Sequence, residues 1–373
     1  MPSDYTRTLP LGGASTRALV RLHLDPWLLL GLGAIVAFGL LVLYSASHRD
    51  LETLANQALR IGVGFAVMFV AAQLNPRLYL RWAPGLYILG IVLLIAVLLF
   101  GTTVKGSQRW LDLPGLPSFQ PSELMKLAVP LAIAWYFHAR PLPPRIRHVL
   151  AALALCALPT ALIVPQPDLG TGLMVAAGGV AVILMSGIRW RLVAALTSLV
   201  VLASPALWFV MKPHQKGRVL TFLDPGRQPQ DAGWNITQSK AAIGSGGFSG
   251  KDLFNGTQSQ LDFLPESQTD FIIAVIGEEL GLVGITLLLV LYLLVVARAL
   301  LMATGAQDTF GRLAAGGLTL VFFAYVFVNV GMVSGLLPVV GVPLPLVSYG
   351  GTSAVTLLLG FGIVMSIFGR GTR

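Results

Sequence analysis

The stretch Thr257-Gln-Ser-Gln-Leu-Asp-Phe-Leu-Pro-Glu-Ser-Gln-Thr-Asp270 runs directly into the apolar segment Phe271-Ile-Ile-Ala-Val-Ile276. A polar loop therefore ends on a carboxylate, Asp270, at the start of an apolar helix. Because a charge so close to hydrocarbon is costly, an ionisable residue at such a position is a functional candidate. The sequence predicts a membrane helix that begins near residue 271, with a reactive carboxylate at its mouth.

The composition indicates an integral membrane protein. Hydrophobic residues make up 55% of the 373 residues and charged residues 11%, whereas a soluble domain carries roughly 25% charged residues. The expected fold is therefore an all-α, multi-pass membrane protein. The single cysteine, Cys156, lies within an apolar run, so we expect neither an intrachain disulfide nor a metal–thiolate site.

About ten transmembrane helices are expected from the lengths of the apolar runs. They lie near residues 27–47, 58–74, 83–100, 123–138, 147–164, 169–187, 190–211, 271–300, 311–335 and 346–368. The eighth is long enough to tilt or to extend beyond the bilayer. Residues 1–373 are thus predicted to form a single polytopic membrane domain.

The positions of the arginines predict the orientation in the membrane. Most arginines lie in short loops between apolar spans, as orientation signals do, and these loops fall on one side. Both termini, including segment 1–26, are therefore predicted to be cytoplasmic, and no removable signal peptide is expected. The same distribution means that the formal net charge of +9 does not indicate nucleic-acid binding.

The extracytoplasmic side is predicted to carry the longer connections. Residues 101–122 form one of them, and segments 165–168 and 336–345 form two others. Residues 212–269, between the seventh and eighth helices, form a loop far longer than an ordinary connector. Such a length points to a functional role for this loop.

Charged residues from four separate segments are predicted to converge on the extracytoplasmic side. They are Lys105 and Arg109 in the first outer loop, Glu123 and Lys126 on the fourth span, Asp168 before the sixth span and Asp270 before the eighth. Glu123 and Lys126 share a helical face because they are three residues apart. Together these residues form the predicted site.

Each of these candidates also has a purely structural interpretation. Asp270 and Glu123 could complement the dipoles of their helices at the N-termini, and Asp168 could be a helix cap. Glu123 and Lys126 could form a structural ion pair, and Arg109 could be an interfacial anchor. The sequence leaves these interpretations open beside the functional ones.

Three further segments contain residues suited to close packing or burial. The run Gly244-Ser-Gly-Gly-Phe-Ser-Gly250 lacks P-loop spacing and a preceding strand, so we favour a flexible, closely packed external loop over a phosphate cradle. Ser348 begins the small-residue run that opens the last span, and its hydroxyl could face a polar cavity. Of Glu278 and Glu279 on the eighth span, one is expected to be buried and paired.

Several motifs along the chain resemble those of the SEDS family (shape, elongation, division and sporulation). They are Lys105-Gly-Ser-Gln-Arg-Trp-Leu111, Phe119-Gln-Pro-Ser-Glu-Leu-Met-Lys126, Gln166-Pro-Asp-Leu-Gly-Thr171, Phe263-Leu-Pro-Glu266, Thr269-Asp-Phe271, Gly335-Leu-Leu-Pro-Val-Val-Gly-Val-Pro-Leu-Pro345 and Ser348-Tyr-Gly-Gly351. Their order and spacing agree over essentially the whole chain. The segment Gly233-Trp-Asn-Ile-Thr-Gln-Ser239 favours the elongation branch over the division branch. Two positions depart from the pattern: Gln268 stands where a His is usual, and Asp252 where a Gly is commoner.

This resemblance implies a peptidoglycan glycosyltransferase of the bacterial inner membrane that polymerises lipid II into β-1,4-linked glycan strands during lateral elongation. It implies that Asp270 is the catalytic acidic residue and that Glu123 and Lys126 line the same outward-facing cavity. The expected partners are a class B penicillin-binding protein, which is a transpeptidase, and the elongation complex.

The chemistry of this reaction suits the predicted site. Glycosyl transfer needs a base for the acceptor hydroxyl, which we assign to Asp270, and positive charge for the departing pyrophosphate. Lys126 and Arg109 are the candidates for the pyrophosphate, and Lys105, Asp168 and Ser348 are further substrate-binding candidates. Glu123 either orients Lys126 or shares a divalent cation, Mg²⁺ or Mn²⁺, with the phosphates. No organic cofactor is expected.

Two functions from other classes compete with this hypothesis. A transporter or flippase for lipid-linked sugars would also contain intramembrane charges, but it would place them near the membrane midplane. A non-catalytic scaffold for a penicillin-binding protein would tolerate the loss of the Asp270 charge. The clustering of acidic residues toward one face favours the enzyme.

Overall fold

The computed structural model describes residues 22–104, 107–112, 119–166, 168–211, 213–224, 232–261, 263–264 and 266–371. These residues form thirteen α-helices and a two-stranded antiparallel sheet. The helices are α1 (Pro26–Ala46), α2 (Leu51–Gln73), α3 (Pro76–Phe100), α4 (Pro121–His138), α5 (Ile146–Ile163), α6 (Leu169–Met185), α7 (Trp190–Val210), α8 (Pro213–Leu223), α9 (Ala232–Gly246), α10 (Thr257–Gln260), α11 (Ile272–Thr304), α12 (Thr309–Val333) and α13 (Gly351–Gly371). The strands, β1 (Thr102–Val104) and β2 (Ser107–Trp110), lie between α3 and α4.

Local sequence signals fix the starts of the first three helices. Asp25, Asp50 and Asn75 precede them, and each side chain accepts a hydrogen bond from a backbone N–H of the first turn. This N-cap satisfies donors that have no partner within the helix. Pro26 and Pro76 then occupy the first helical position, where the missing N–H costs nothing.

The prediction of an all-α, multi-pass membrane protein is confirmed. A helix is present at each of the ten predicted spans within the described residues. Seven helices of this part of the chain are long and apolar enough to cross a membrane, and α6 and the first part of α7 are shorter apolar helices. The number of crossings and the cytoplasmic position of the termini stay predictions.

The tenth helix begins later than predicted. Residues 346–350 were assigned to the last span, but α13 starts at Gly351. The preceding segment contains Pro343 and Pro345, which disfavour helical geometry in the residue before each of them. Leu346 has a φ of 62°, which is incompatible with a right-handed helix. The prediction was wrong for these residues because it followed hydropathy alone.

The segment 212–269 is more structured than the predicted loop. It contains α8, α9 and α10, and α9 packs closely against α11. Gly246 permits this contact, since a Cβ there would lie 1.9 Å from the carbonyl oxygen of Gly277. The prediction of a flexible loop over 244–250 was therefore wrong in part, because its first three residues belong to α9. The prediction of close packing was right.

The long helix α11 is interrupted at Gly281. This residue has φ 62° and ψ −158°, a conformation that is essentially restricted to glycine. The loop after α9 satisfies the backbone groups that the break exposes: Leu282 N donates to Gly247 O at 3.0 Å, and Lys251 N donates to Glu278 O at 3.0 Å. The predicted continuous eighth span is therefore two helical segments, 272–280 and 282–304, joined at a kink.

A buried charge network holds the same loop against the kink. The side chain of Glu278 is 0% exposed and accepts hydrogen bonds from Lys251 Nζ at 2.8 Å and Thr257 Oγ1 at 3.0 Å. The neighbouring Glu279 is also buried and accepts from Ser45 Oγ at 2.8 Å. The expectation that one of the two glutamates is buried and paired is confirmed, and it holds for both.

Breaking the Lys251–Glu278 pair from one side is expected to destabilise the protein. The variant Lys251→Met leaves the Glu278 carboxylate buried without that ammonium, a change that costs about 3 kcal/mol or more in buried pairs. The Tm of the detergent-solubilised protein should fall strongly for Lys251→Met and less for Lys251→Met/Glu278→Gln. If the two substitutions changed the free energy of unfolding strictly additively, the pairing would be contradicted.

Candidate active site

A polar cavity of about 530 Å³ lies where α4, α6, α11 and α13 begin. Its charged lining residues within the described chain are Arg109, Glu123, Lys126, Asp168, Arg218, Glu266 and Asp270. Five of the predicted site residues are therefore brought together in one space. Lys105 lies outside the described residues.

Residues at the N-terminal end of each of these four helices line the cavity. The N-terminal end of a helix carries a partial positive charge of roughly half an elementary charge. Three of the helices hold a carboxylate at or next to their first turn, namely Glu123 on α4, Asp168 before α6 and Asp270 before α11. The fourth, α13, has no acidic residue in its first turn. The arrangement favours negative charge inside the cavity.

Hydrogen bonds from a neighbouring helix fix the backbone that carries Asp270. Asn329 of α12 donates through Nδ2 to Asp270 O at 2.8 Å and to Val342 O at 2.7 Å. The carboxylate faces Gly341, where a Cβ would come within 3.4 Å of Asp270 Oδ2. Gly341 has a φ of 71°, which glycine adopts readily. Asn329 thus binds both the backbone at Asp270 and the backbone at Val342, and these contacts fix the position of Asp270.

Ser348 is the predicted site residue that does not line this cavity. Its hydroxyl donates to the carbonyl of Thr269 and accepts from Leu344 N at 2.8 Å. Both contacts are to backbone groups, so Ser348 supports the segment that carries Asp270. Gln268, at the position where the family usually has His, accepts from Tyr349 N at 2.8 Å through its backbone carbonyl and is likewise not a lining residue.

Glu123 and Lys126 form a buried ion pair that lines the cavity. Their residues are 5% and 2% exposed, and Lys126 Nζ lies 2.5 Å from Glu123 Oε1. The ammonium also lies 4.8 Å from the centroid of the Tyr325 ring, within cation–π range. Glu123 Oε2 is buried and has no hydrogen-bond partner among the described residues. The pair is both structural and accessible from the cavity.

Asp168 links a helix start to a cation of the cavity. Its carboxylate caps α6 by accepting from Thr171 N at 3.2 Å, and it accepts from Gln120 Nε2 at 2.6 Å. Arg109 Nη1 lies 3.9 Å from Asp168 Oδ1. The helix-cap interpretation is therefore right for Asp168, and the same carboxylate also lies within ion-pair distance of Arg109.

The lining residues that the sequence reasoning missed include Arg218, Glu266 and Tyr325. Arg218 belongs to α8, and burial lowers the pKa of its guanidinium while Asp168 and Asp270 oppose that shift. A signal was present, since Arg218 is an arginine on the side predicted to be poor in arginines. Tyr325 lies within an apolar helix, where nothing in the sequence separates it from other core aromatics.

Fold and site together define a class of protein: a multi-pass membrane protein with a cavity that combines a positioned carboxylate with several cations. Within that class, the chain belongs to the FtsW/RodA/SpoVE family of cell cycle proteins, whose sequence model matches residues 24–371. The predicted resemblance to the SEDS family is thereby confirmed.

Individual relatives agree with this family. The chain is 53% identical over 348 residues to the peptidoglycan glycosyltransferase MrdB of Escherichia coli strain K12, covering 93% of this chain and 94% of that protein. It resembles a chain of a solved peptidoglycan synthase complex that coordinates polymerization and crosslinking, with a TM-score of 0.82, 33% identity and coverage of 94% and 98%. It also resembles the rod shape determining protein RodA of Thermus thermophilus, with a TM-score of 0.70, 30% identity and the same coverage. The prediction of the elongation branch is confirmed.

Replacing Asn329 is expected to release the segment that carries Asp270. The variant Asn329→Ala removes the donor to two carbonyls, and each unsatisfied buried group costs about 1–3 kcal/mol. Amide hydrogen exchange of residues 266–271 should therefore rise and the Tm should fall. The control Thr319→Val, on the same helix, removes only a bond to Ala315 O within that helix. Equal exchange in Asn329→Ala and wild type would contradict the proposed anchoring.

Proposed function

We propose that this chain is a peptidoglycan glycosyltransferase that polymerises lipid II into β-1,4-linked glycan strands during lateral wall elongation. The observation that carries the proposal is the single cavity in which Asp270 meets the cations Arg109, Lys126 and Arg218. The 53% identity to a protein named peptidoglycan glycosyltransferase supports the same conclusion. We further propose that the cavity faces the periplasm from the bacterial inner membrane, as the arginine distribution predicts.

Asp270 is proposed as the general base. The acceptor 4-hydroxyl gives its proton to the Asp270 carboxylate while its oxygen forms a bond to C1 of the donor sugar. The bond between C1 and the pyrophosphate oxygen breaks, and its electron pair leaves with the pyrophosphate. Attack opposite the leaving group converts an α-linked donor into a β-linked product. Because pyrophosphate is a stable anion, a second carboxylic acid of the glycosidase kind is not required.

The buried cation Lys126 suits the donor pyrophosphate. Its ammonium is held between Glu123 and the Tyr325 ring, so it is oriented before the substrate arrives, and such preorganised charge is what stabilises a leaving anion. Arg109, next to Asp168, is a second candidate for binding the pyrophosphate. Lys105 is a third candidate, which rests on the sequence alone. Asp168 acts through Arg109 and the start of α6, which makes it a positioning residue.

The proposal of a divalent cation rests on one atom of Glu123. Glu123 Oε2 is buried with no hydrogen-bond partner among the described residues, whereas Oε1 faces the Lys126 ammonium. No group of three or more His, Cys, Asp or Glu side chains in the described ranges is arranged to hold a metal ion. Mg²⁺ or Mn²⁺ at Glu123 would therefore take most of its ligands from phosphate oxygens and water, as Mg²⁺ commonly does.

The partner is proposed to be a class B penicillin-binding protein within the elongation complex. A structural relative of this chain belongs to a peptidoglycan synthase complex that coordinates polymerization and crosslinking. A chain that makes glycan strands at the periplasmic face needs a transpeptidase close by to crosslink them. The polymerase and the crosslinking enzyme are thus expected to work as one assembly.

Removing the proposed base should abolish polymerisation but not partner binding. We expect Asp270→Asn and Asp270→Ala, purified with the penicillin-binding protein, to polymerise lipid II about 10²–10⁴-fold more slowly than wild type, the usual contribution of a general base. Asp112→Asn serves as the control, because Asp112 is an exposed acidic residue outside the cavity.

If Asp270→Asn made glycan at a near-normal rate, Asp270 would not be the base, and the scaffold hypothesis would be favoured. If the wild-type protein moved lipid II across the membrane of reconstituted vesicles but made no polymer, the flippase hypothesis would be favoured.

Lys126 is expected to contribute to donor affinity beyond its structural pairing. A charge-assisted hydrogen bond is worth about 1.5–3 kcal/mol, so Lys126→Met should raise the KM for lipid II by about 10–100-fold. The double variant Glu123→Gln/Lys126→Met should regain stability, because no charge is left unpaired, but not the lost donor affinity. Recovery of a wild-type KM in the double variant would leave Lys126 with a structural role alone.

A further inference from the structure

Arg218 is a partly buried cation whose hydrogen-bonding capacity is not used up. It reaches the cavity from α8, which lies outside the predicted membrane spans. Its Nη1 atom is buried and has no hydrogen-bond partner among the described residues. A buried donor without a partner is costly and rare in native proteins. Such an atom on a cavity wall is suited to a ligand.

Of the other two cations of the cavity, Lys126 is held in a close ion pair, and Arg109 lies near a carboxylate. Lys126 Nζ lies 2.5 Å from Glu123 Oε1, and Arg109 Nη1 lies 3.9 Å from Asp168 Oδ1. The described lining also holds four carboxylates against three cations. An anionic substrate therefore enters a space with no surplus of positive side chains. Arg109 Nε is also buried without a hydrogen-bond partner among the described residues, so both guanidinium groups retain an unused donor. The unused donor of Arg218 is a terminal nitrogen, Nη1, which is the part of a guanidinium best placed to bind a phosphate oxygen.

Arg218 also lies within electrostatic range of the proposed base. Its charge is attracted by both Asp168 and Asp270. When Asp270 takes the acceptor proton it becomes neutral, and its attraction for the guanidinium is lost. At the same moment the pyrophosphate oxygen gains the electron pair of the broken bond. The charge that Arg218 balances thus moves from the carboxylate to the leaving group.

We propose that Arg218 is a catalytic residue that binds the pyrophosphate of the lipid-linked donor through its free N–H group and stabilises that pyrophosphate as it leaves. This inference rests on the proposed glycosyl transfer and adds to it a residue from the connection between α7 and α9. A guanidinium suits the role because it is always charged and presents parallel donors to phosphate oxygens. Asp270, just before α11, and Arg218, on α8, then act on opposite ends of one displacement.

The kinetic test compares Arg218→Gln and Arg218→Lys with a control on the same helix. Lys216→Gln is the control, since its ammonium lies over the Trp208 ring, 5.8 Å from the centroid, and does not line the cavity. With the complex and lipid II, Arg218→Gln should lose about 10²–10³-fold in kcat/KM. Arg218→Lys keeps the positive charge but lacks the paired N–H donors of the guanidinium, so its kcat/KM should recover only part of that loss. Lys216→Gln should match wild type.

A binding test separates this inference from the proposed function. Undecaprenyl pyrophosphate and uncharged undecaprenol are titrated as probes into the detergent-solubilised complex, without turnover. Wild type and Lys216→Gln should prefer the pyrophosphate, and Arg218→Gln should reduce that preference by at least tenfold. An unchanged preference together with kcat/KM within twofold of wild type, in both Arg218 variants, would overturn the role of Arg218. A wild-type complex that makes no polymer but shows the Arg218-dependent preference would overturn the proposed function and leave the binding role standing.

Discussion

Four helices begin at one cavity, and the charges that this geometry stabilises organise the site. Carboxylates are favoured at such helix ends, which accounts for Glu123, Asp168 and Asp270 at three of them. Glu123 in turn holds Lys126 in place, and Asp168 lies within ion-pair distance of Arg109. The result is an acid-rich cavity that nevertheless presents positioned cations. A site of this kind can accept a proton at one point and stabilise a leaving anion at another.

The interruption of α11 connects this cavity to the segment between α7 and α11. The segment 272–280 begins two residues after Asp270 and ends at the Gly281 kink, where the backbone of the loop after α9 replaces the missing helical bonds. The Glu278 carboxylate binds the same loop through Lys251. The helical segment next to the proposed base is therefore anchored at both ends by protein contacts.

Residues with local signals were predictable from the sequence, and those set by tertiary contacts were not. Asp270 follows from a polar loop that ends at an apolar run, and the Glu123–Lys126 pair follows from helical spacing. The Gly281 break has no hydropathy signal, because apolar residues continue on both sides of it. Ser348 was predicted to bind substrate, whereas in the folded chain its hydroxyl forms hydrogen bonds with Thr269 O and Leu344 N. Arg218 depends on how α8 lies over the cavity, which no periodicity reveals.

The most direct test is an electron cryomicroscopy structure of this chain with the proposed penicillin-binding partner and a non-transferable lipid II analogue. The pyrophosphate should lie in the cavity among Arg109, Lys126 and Arg218, with the reacting carbon on the side that faces Asp270. Density for the head group elsewhere, for example midway through the bundle or on the cytoplasmic side, would contradict the account. So would an Asp270 side chain turned away from the bound sugar.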